Sequence, residues 1–158
     1  MCPPGIDTVS INQKNITAES GQKNVTLPCR APNNNTIIIV EWSRAGLGDE
    51  YVLFYQNGHF PSDYQHPPFK NRVDLQDRQM KDGDVSLILK NVTINDTGTY
   101  ECRVQNEVDS MTLINSIYLH VVDPPGQTGG HTEDGSVVLI IVLSVSGVLV
   151  WKLARLAQ

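Results

Sequence analysis

Cysteine is scarce in this chain. Three in 158 residues are too few for a disulfide-dense miniprotein. Basic residues are also short: before Gly135 ten Lys and Arg face seventeen Asp and Glu, a net charge of −7. A surface of that sign repels phosphate backbones and excludes nucleic acid as a partner. His59, His66, His120 and His131 are scattered, and none stands at metal-ligand spacing from another His or a Cys. No glycine-rich phosphate loop follows a strand, and the acidic residues cluster in turns, as a solvated surface requires. These absences argue against an enzyme, a cofactor, a metal and a small-molecule substrate. Helical periodicity is missing too, until the last residues of the chain.

What remains is a series of short alternating segments separated by turn residues. Val25-Thr26-Leu27-Pro28-Cys29 places Val25, Leu27 and Cys29 on one side. Ile37 to Trp42 is a strand with Ile38, Val40 and Trp42 toward the core and Ile37, Ile39 and Glu41 away from it. Tyr51 to Gln56 is another, closed by the hairpin dipeptide Asn57-Gly58. His59 to Lys70, with three prolines, is irregular or a short edge strand. Further strands follow at Arg72–Leu75, Val85–Leu89, Tyr100–Gln105 and Ser116–Val122, and a weaker edge strand lies between Ile6 and Thr17. About nine strands with no helix predict an all-β two-sheet sandwich.

The most specific pattern is a Cys, a Trp and the heptapeptide Asp96-Thr97-Gly98-Thr99-Tyr100-Glu101-Cys102, with Cys29 and Trp42 supplying the first two. It resembles an immunoglobulin domain. The resemblance implies that Cys29 and Cys102 are bonded across two Greek-key sheets against Trp42, and that Tyr100 turns its hydroxyl back to the preceding corner. A bridge closing so long a loop contributes about 4 kcal/mol in an oxidising compartment. Cys2 is left as an odd thiol, either a near-terminal free group or an interchain bridge. Two strands fit between Trp42 and Arg72, which suits the variable type. In such domains Arg72 and Asp96 occupy the positions of a partly buried salt bridge.

Tyr55-Gln56-Asn57-Gly58, Asn71-Arg72-Val73-Asp74-Leu75 and the run from Gly83 to Tyr100 are similar to one subgroup. It is the family of butyrophilins, myelin oligodendrocyte glycoprotein and T-cell costimulatory ligands. The similarity implies a membrane-anchored ligand that binds a protein receptor on a facing cell, a lymphocyte, and regulates T-cell activation and cytokine production. The alternative is a homophilic adhesion molecule of the junctional or virus-receptor kind. Many relatives carry a second, constant-type domain, whereas here Asp123 leads into a linker.

The expected organisation is a flank at 1–5, a variable-type domain at 6–123, a juxtamembrane linker at 124–135, a transmembrane helix at 136–153 and a cytoplasmic tail at 154–158. Met1 to Gly5 lack the apolar run of a secretory leader, so a leader has been removed or lies upstream. Ser136 to Trp151 runs 16 residues without a charge. Extended to Gly135–Leu153 it spans about 28 Å, enough to cross a bilayer with Lys152 snorkelling. Glu133 and Asp134 precede it and Lys152 and Arg155 follow, which puts the C-terminus in the cytoplasm and the domain outside the plasma membrane. The span has no ionisable residue to pair with a partner helix, and the tail has no tyrosine to phosphorylate.

By the family's register, Leu53 and Tyr55 join Ile37, Ile39 and Glu41 on an outward face with Glu101, Arg103, Gln105, Tyr118 and His120. An apolar and aromatic group rimmed by charge has the make-up of a partner-binding face. Asn-x-Thr triplets begin at Asn15, Asn24, Asn34, Asn91 and Asn95, where 12 asparagines and 20 Ser or Thr predict about 1.5 by chance. None starts on a position expected to lie on this face. The excess supports a secretory route. Expressed behind a working leader, the chain is expected to carry sugar on Asn24 or Asn34. An amide-cleaving glycosidase should then lower its mass at the cell surface, and an unchanged mass contradicts the extracellular placement.

Overall fold

In the computed structural model, residues 13–32 and 35–126 are described. Eight strands form two sheets: β1 (Lys14–Glu19), β2 (Asn24–Leu27), β3 (Ile37–Arg44), β4 (Leu53–Gln56), β5 (Val73–Leu75), β6 (Leu87–Lys90), β7 (Gly98–Asn106) and β8 (Thr112–Val122). The larger sheet has the order β1-β8-β7-β3-β4, and the smaller has β2-β6-β5. Strand β1 runs parallel to β8, and the other pairings are antiparallel. This is the variable-type two-sheet sandwich expected from the immunoglobulin resemblance. Between β4 and β5 the chain makes two short 3-10 turns, Ser62–Tyr64 and Pro67–Phe69, in place of a ninth strand. The prolines in this stretch remove ladder donors and explain its irregularity.

Alternation builds the core. In β2 Val25 and Leu27 are buried while Asn24 and Thr26 are exposed. In β7 Tyr100, Cys102, Val104 and Asn106 point in, and Glu101, Arg103 and Gln105 alternate with them. Cys29 and Cys102 are bonded, with Cα atoms 6.6 Å apart. Trp42 pairs in register with Cys102, is fully buried, and donates its indole N–H to the Val85 carbonyl at 2.9 Å. That bond joins the larger sheet to the segment leading into the smaller one. Ser86 lies beside the bridge, its hydroxyl accepting from the Cys29 N–H at 3.1 Å.

Two residues before Cys102, toward the start of β7, Tyr100 donates its hydroxyl to the Asp96 carbonyl at 2.7 Å. Burial pushes this phenol up to about 12, so it stays a neutral donor. Asp96 is 2 % exposed, and its carboxylate accepts from Arg72 at 3.2 and 2.5 Å and from the Thr93 N–H at 2.8 Å. Arg72 spends its other donors on the carbonyls of Pro68, Lys90 and Asn91. The 3-10 turn Ile94–Asp96 is thereby tied to β5 and β6. Arg44 covers the same corner, its guanidinium 5.3 Å over the Phe69 ring and bonded to the Asn95 carbonyl at 2.7 Å. A Cβ on Gly98 would meet the Arg44 Cδ at 3.1 Å, so a side chain there forces Arg44 to shift.

The pair Arg78–Asp74 offers a contrast, because Arg78 is two-thirds exposed. Arg72→Ala leaves a buried carboxylate without its partner and is expected to cost about 3–5 kcal/mol. Arg78→Ala should leave the denaturant midpoint nearly unchanged. Equal midpoints for the two variants would mean that the Arg72–Asp96 pair does not tie the Ile94–Asp96 turn to the smaller sheet.

Candidate functional site

Three cross-strand rows define the outer face of the larger sheet. Directly opposed residues share a face, so each row can be followed through the pairings. Phe54, Glu41, Arg103 and Leu113 form one row, Gln56, Ile39 and Gln105 a second, and Ser43, Glu101 and Ser116 a third. Beyond them Tyr118 pairs with Thr99 on one side and Asn15 on the other, and His120 pairs with Thr17. The Tyr118 and His120 rings stack with centroids 6.3 Å apart.

Two expected members of the face belong to the core instead. Leu53 pairs with Trp42 and is only 3 % exposed, so it points inward. Tyr55, opposite Val40, lies on the same inner side, packed against the core and with its ring 5.3 Å from Phe60. The residue that does share the side of Glu41 is Phe54. The run Tyr51-Val52-Leu53-Phe54-Tyr55 is apolar at every position, so alternation carries no information about which side faces out.

Ile37 is likewise buried, at 9 % exposure, and Ile38 is half-buried rather than part of the core. The pairing with β7 shifts between Ile37 and Ile39, from Ile37↔Asn106 to Ile39↔Gln105. Such a bulge inverts the alternation on one side of it, and three consecutive isoleucines give no sign of it. Ile39, Glu41, Glu101, Arg103 and Gln105 are half-buried on the outer side, while Tyr118 and His120 are exposed at its far edge.

An aromatic and acidic cluster completes the β4 side, and the sequence did not single it out. Phe54 stacks on Tyr51 at 5.1 Å and meets Tyr64 edge-on at 5.7 Å. Tyr64 is more than half exposed. The Tyr51 hydroxyl donates to Glu41 at 3.4 Å, and burial together with the Glu41 charge raises its phenol above the ordinary value. Glu41, Ser43, Asp49, Glu50, Tyr51 and Arg103 line a shallow depression of about 300 Å³. Arg103 is already committed: it pairs with Glu101 at 2.7 Å and donates to the Ser43 hydroxyl at 3.4 Å. This end of the face therefore carries an excess of negative charge beside Phe54, which pairs with Glu41. Among the described residues no group of three His, Cys, Asp or Glu is placed to hold a metal ion.

Of the triplet asparagines, Asn15, Asn24, Asn91 and Asn95 are exposed, and Asn34 lies outside the described residues. Asn24 sits on β2 in the smaller sheet, while Asn91 and Asn95 sit in the turn between β6 and β7. Asn15 does not keep clear of the outer face as expected, since its partner across the ladder is Tyr118. Cys2, residues 136–153 and the tail also lie outside the described residues. No described helix is long and apolar enough to cross a membrane.

A family model for the immunoglobulin V-set domain matches residues 11–122. V-set and immunoglobulin domain-containing protein 1 of Xenopus laevis is 32 % identical over 149 residues, 88 % of this chain and 44 % of that one. A coxsackievirus and adenovirus receptor homolog of Danio rerio is 25 % identical over 90 % of this chain and 40 % of its own. Selection and upkeep of intraepithelial T-cells protein 7 of Mus musculus is 30 % identical over 52 % of this chain and 20 % of its own. The chain thus spans about two-fifths of the length of the first two.

The inward and outward sides of β4 make different demands on stability. Leu53→Ala is expected to cost about 2–5 kcal/mol by leaving a cavity beside Trp42, whereas Phe54→Ala should lower the denaturant midpoint far less. The reverse order would place Leu53, not Phe54, on the outer face.

Proposed function

This chain belongs to the immunoglobulin V-set family, and we propose that it is a cell-surface ligand whose domain binds a protein receptor on a facing cell and regulates T-cell activation and cytokine production. The outer face of the β1-β8-β7-β3-β4 sheet is the proposed docking surface, with Ile39, Phe54 and Arg103 as anchors. Aromatic and Arg side chains at the centre of a charged rim are the groups that carry most of the energy in protein interfaces. The similarity of residues 71–102 to costimulatory ligands, and of half the chain to a protein named for selection of intraepithelial T cells, supports the lymphocyte setting. A transmembrane helix at 136–153 behind a linker at 124–135, with residues 154–158 in the cytoplasm, would hold the domain at the plasma membrane.

One observation carries the choice between a heterotypic partner and self-adhesion. Glu41, Asp49 and Glu50 line the depression beside Phe54, Glu101 stands one row away opposite Ser43, and the cation among them, Arg103, is neutralised by Glu101. A twofold self-pairing sets the same patch against itself and brings these carboxylates together. Like charges so juxtaposed oppose association, whereas a partner with a basic rim is attracted and steered. The reading is therefore of a receptor with Lys and Arg around an apolar centre.

Sedimentation of the soluble domain at rising concentration, alongside a binding screen against lymphocyte receptor ectodomains, tests this directly. The domain should stay monomeric and bind one receptor, with an on-rate that falls as salt rises. Phe54→Ala should weaken that binding by about 2 kcal/mol or more. Micromolar self-association instead supports adhesion, and unchanged binding by the variant places the site elsewhere.

A further inference from the structure

We propose that an N-linked oligosaccharide on Asn15 covers the β1–β8 side of the outer face and confines protein docking to the β3–β4 side. The inference rests on the extracellular placement proposed above and narrows the docking surface to half of what the strand pattern suggested. Its basis is the parallel register of β1 and β8, which sets Asn15 against Tyr118 and Thr17 against His120. Within β1 the alternation turns Ile16 and Ala18 toward the core, so Asn15 and Thr17 share the outer side and both are exposed. The amide that accepts the sugar and the hydroxyl that completes the triplet are thus both accessible.

Among the described triplets, only this one begins on the outer face. Asn24 pairs with Lys90 in the other sheet, and Asn91 and Asn95 lie in the turn that follows β6. A glycan on any of those leaves the outer face open. On Asn15 a bulky, hydrated group stands one strand spacing, about 4.8 Å, from Tyr118. Tyr118 is 37 % exposed and stacks on His120, so both rings come under the sugar. Phe54 on β4 is four strand spacings from β1, about 19 Å. The cover is heaviest over Tyr118 and His120 and thinnest over Phe54 and Tyr64.

The test uses the full chain, expressed behind a secretory leader in a Cys2→Ser background, with the Cys29–Cys102 bond verified by non-reduced peptide mapping. His120→Cys and Tyr64→Cys are each reacted with a protein-sized maleimide conjugate, with and without Thr17→Ala, and Asn15→Gln serves as a second means of removing the sugar. Glycopeptide analysis should find sugar on Asn15. The His120→Cys thiol should react several-fold more slowly when the triplet is intact, while the Tyr64→Cys thiol reacts at the same rate in both backgrounds. Equal rates at His120→Cys, or a bare Asn15 beside sugar on Asn24 or Asn91, overturn the inference and leave the extracellular placement standing. A chain without sugar at any triplet overturns both.

Discussion

The contact between Trp42 and the Cys29–Cys102 bond is the constraint on which the rest of the domain depends. Trp42 and Cys102 are opposite one another in the β3–β7 ladder, so both must point to the same side of the sheet. Burying the indole and closing the bridge therefore decides the inward side for both strands at once. The indole N–H bond to the Val85 carbonyl then holds the second sheet against the first. With period-two alternation, everything one residue away is turned outward. Glu41 and Arg103 face solvent because Trp42 and Cys102 do not.

A second tie stands at the start of β7, where Tyr100, Asp96 and Arg72 link that strand, the turn before it, the residue leading into β5 and the end of β6. Here the stabilisation is polar, and it works because every group is satisfied: the carboxylate accepts from a guanidinium and from a backbone N–H, and the guanidinium fills its remaining sites with carbonyls. The two ties leave the outer face of the larger sheet free of structural duties. That freedom is what makes its composition informative. Phe54 lies opposite Glu41 and beside the acidic depression, Ile39 lies two residues along β3, and this make-up supports the proposed docking of a basic partner.

The fold was legible because it rests on a few residues at definite spacings. Cys29, Trp42, Arg72, Asp96, Tyr100 and Cys102 each have one structural role that few other residues can fill, and the alternation in β2 and β7 is clean. The outer face was less so. Its β7 members follow from counting outward from Cys102 and its β8 members from the family's register, but Tyr51 to Tyr55 is apolar at five consecutive positions and gives β4 no parity of its own. Only the pairing of Leu53 with Trp42 shows that Phe54 is the outward ring. The bulge beside Ile38 is hidden for the same reason, since identical neighbours look alike from either side. Tyr64, Asp49 and Glu50 reach the site through loop geometry, and the position of Asn15 beside Tyr118 requires a parallel pairing across about a hundred residues. None of these is encoded in local pattern.

The Trp42 side of the β3–β4 pairing determines which residues of β4 lie on the outer face, and so which of them the proposed partner would meet. Nuclear Overhauser contacts in the isotope-labelled soluble domain measure this most directly. Strong contacts are expected from the Leu53 methyl groups to the Trp42 indole, and contacts from the Phe54 ring to Tyr51 and Tyr64 but none to the indole. Contacts between Phe54 and the indole, with Leu53 showing none, would contradict that pairing.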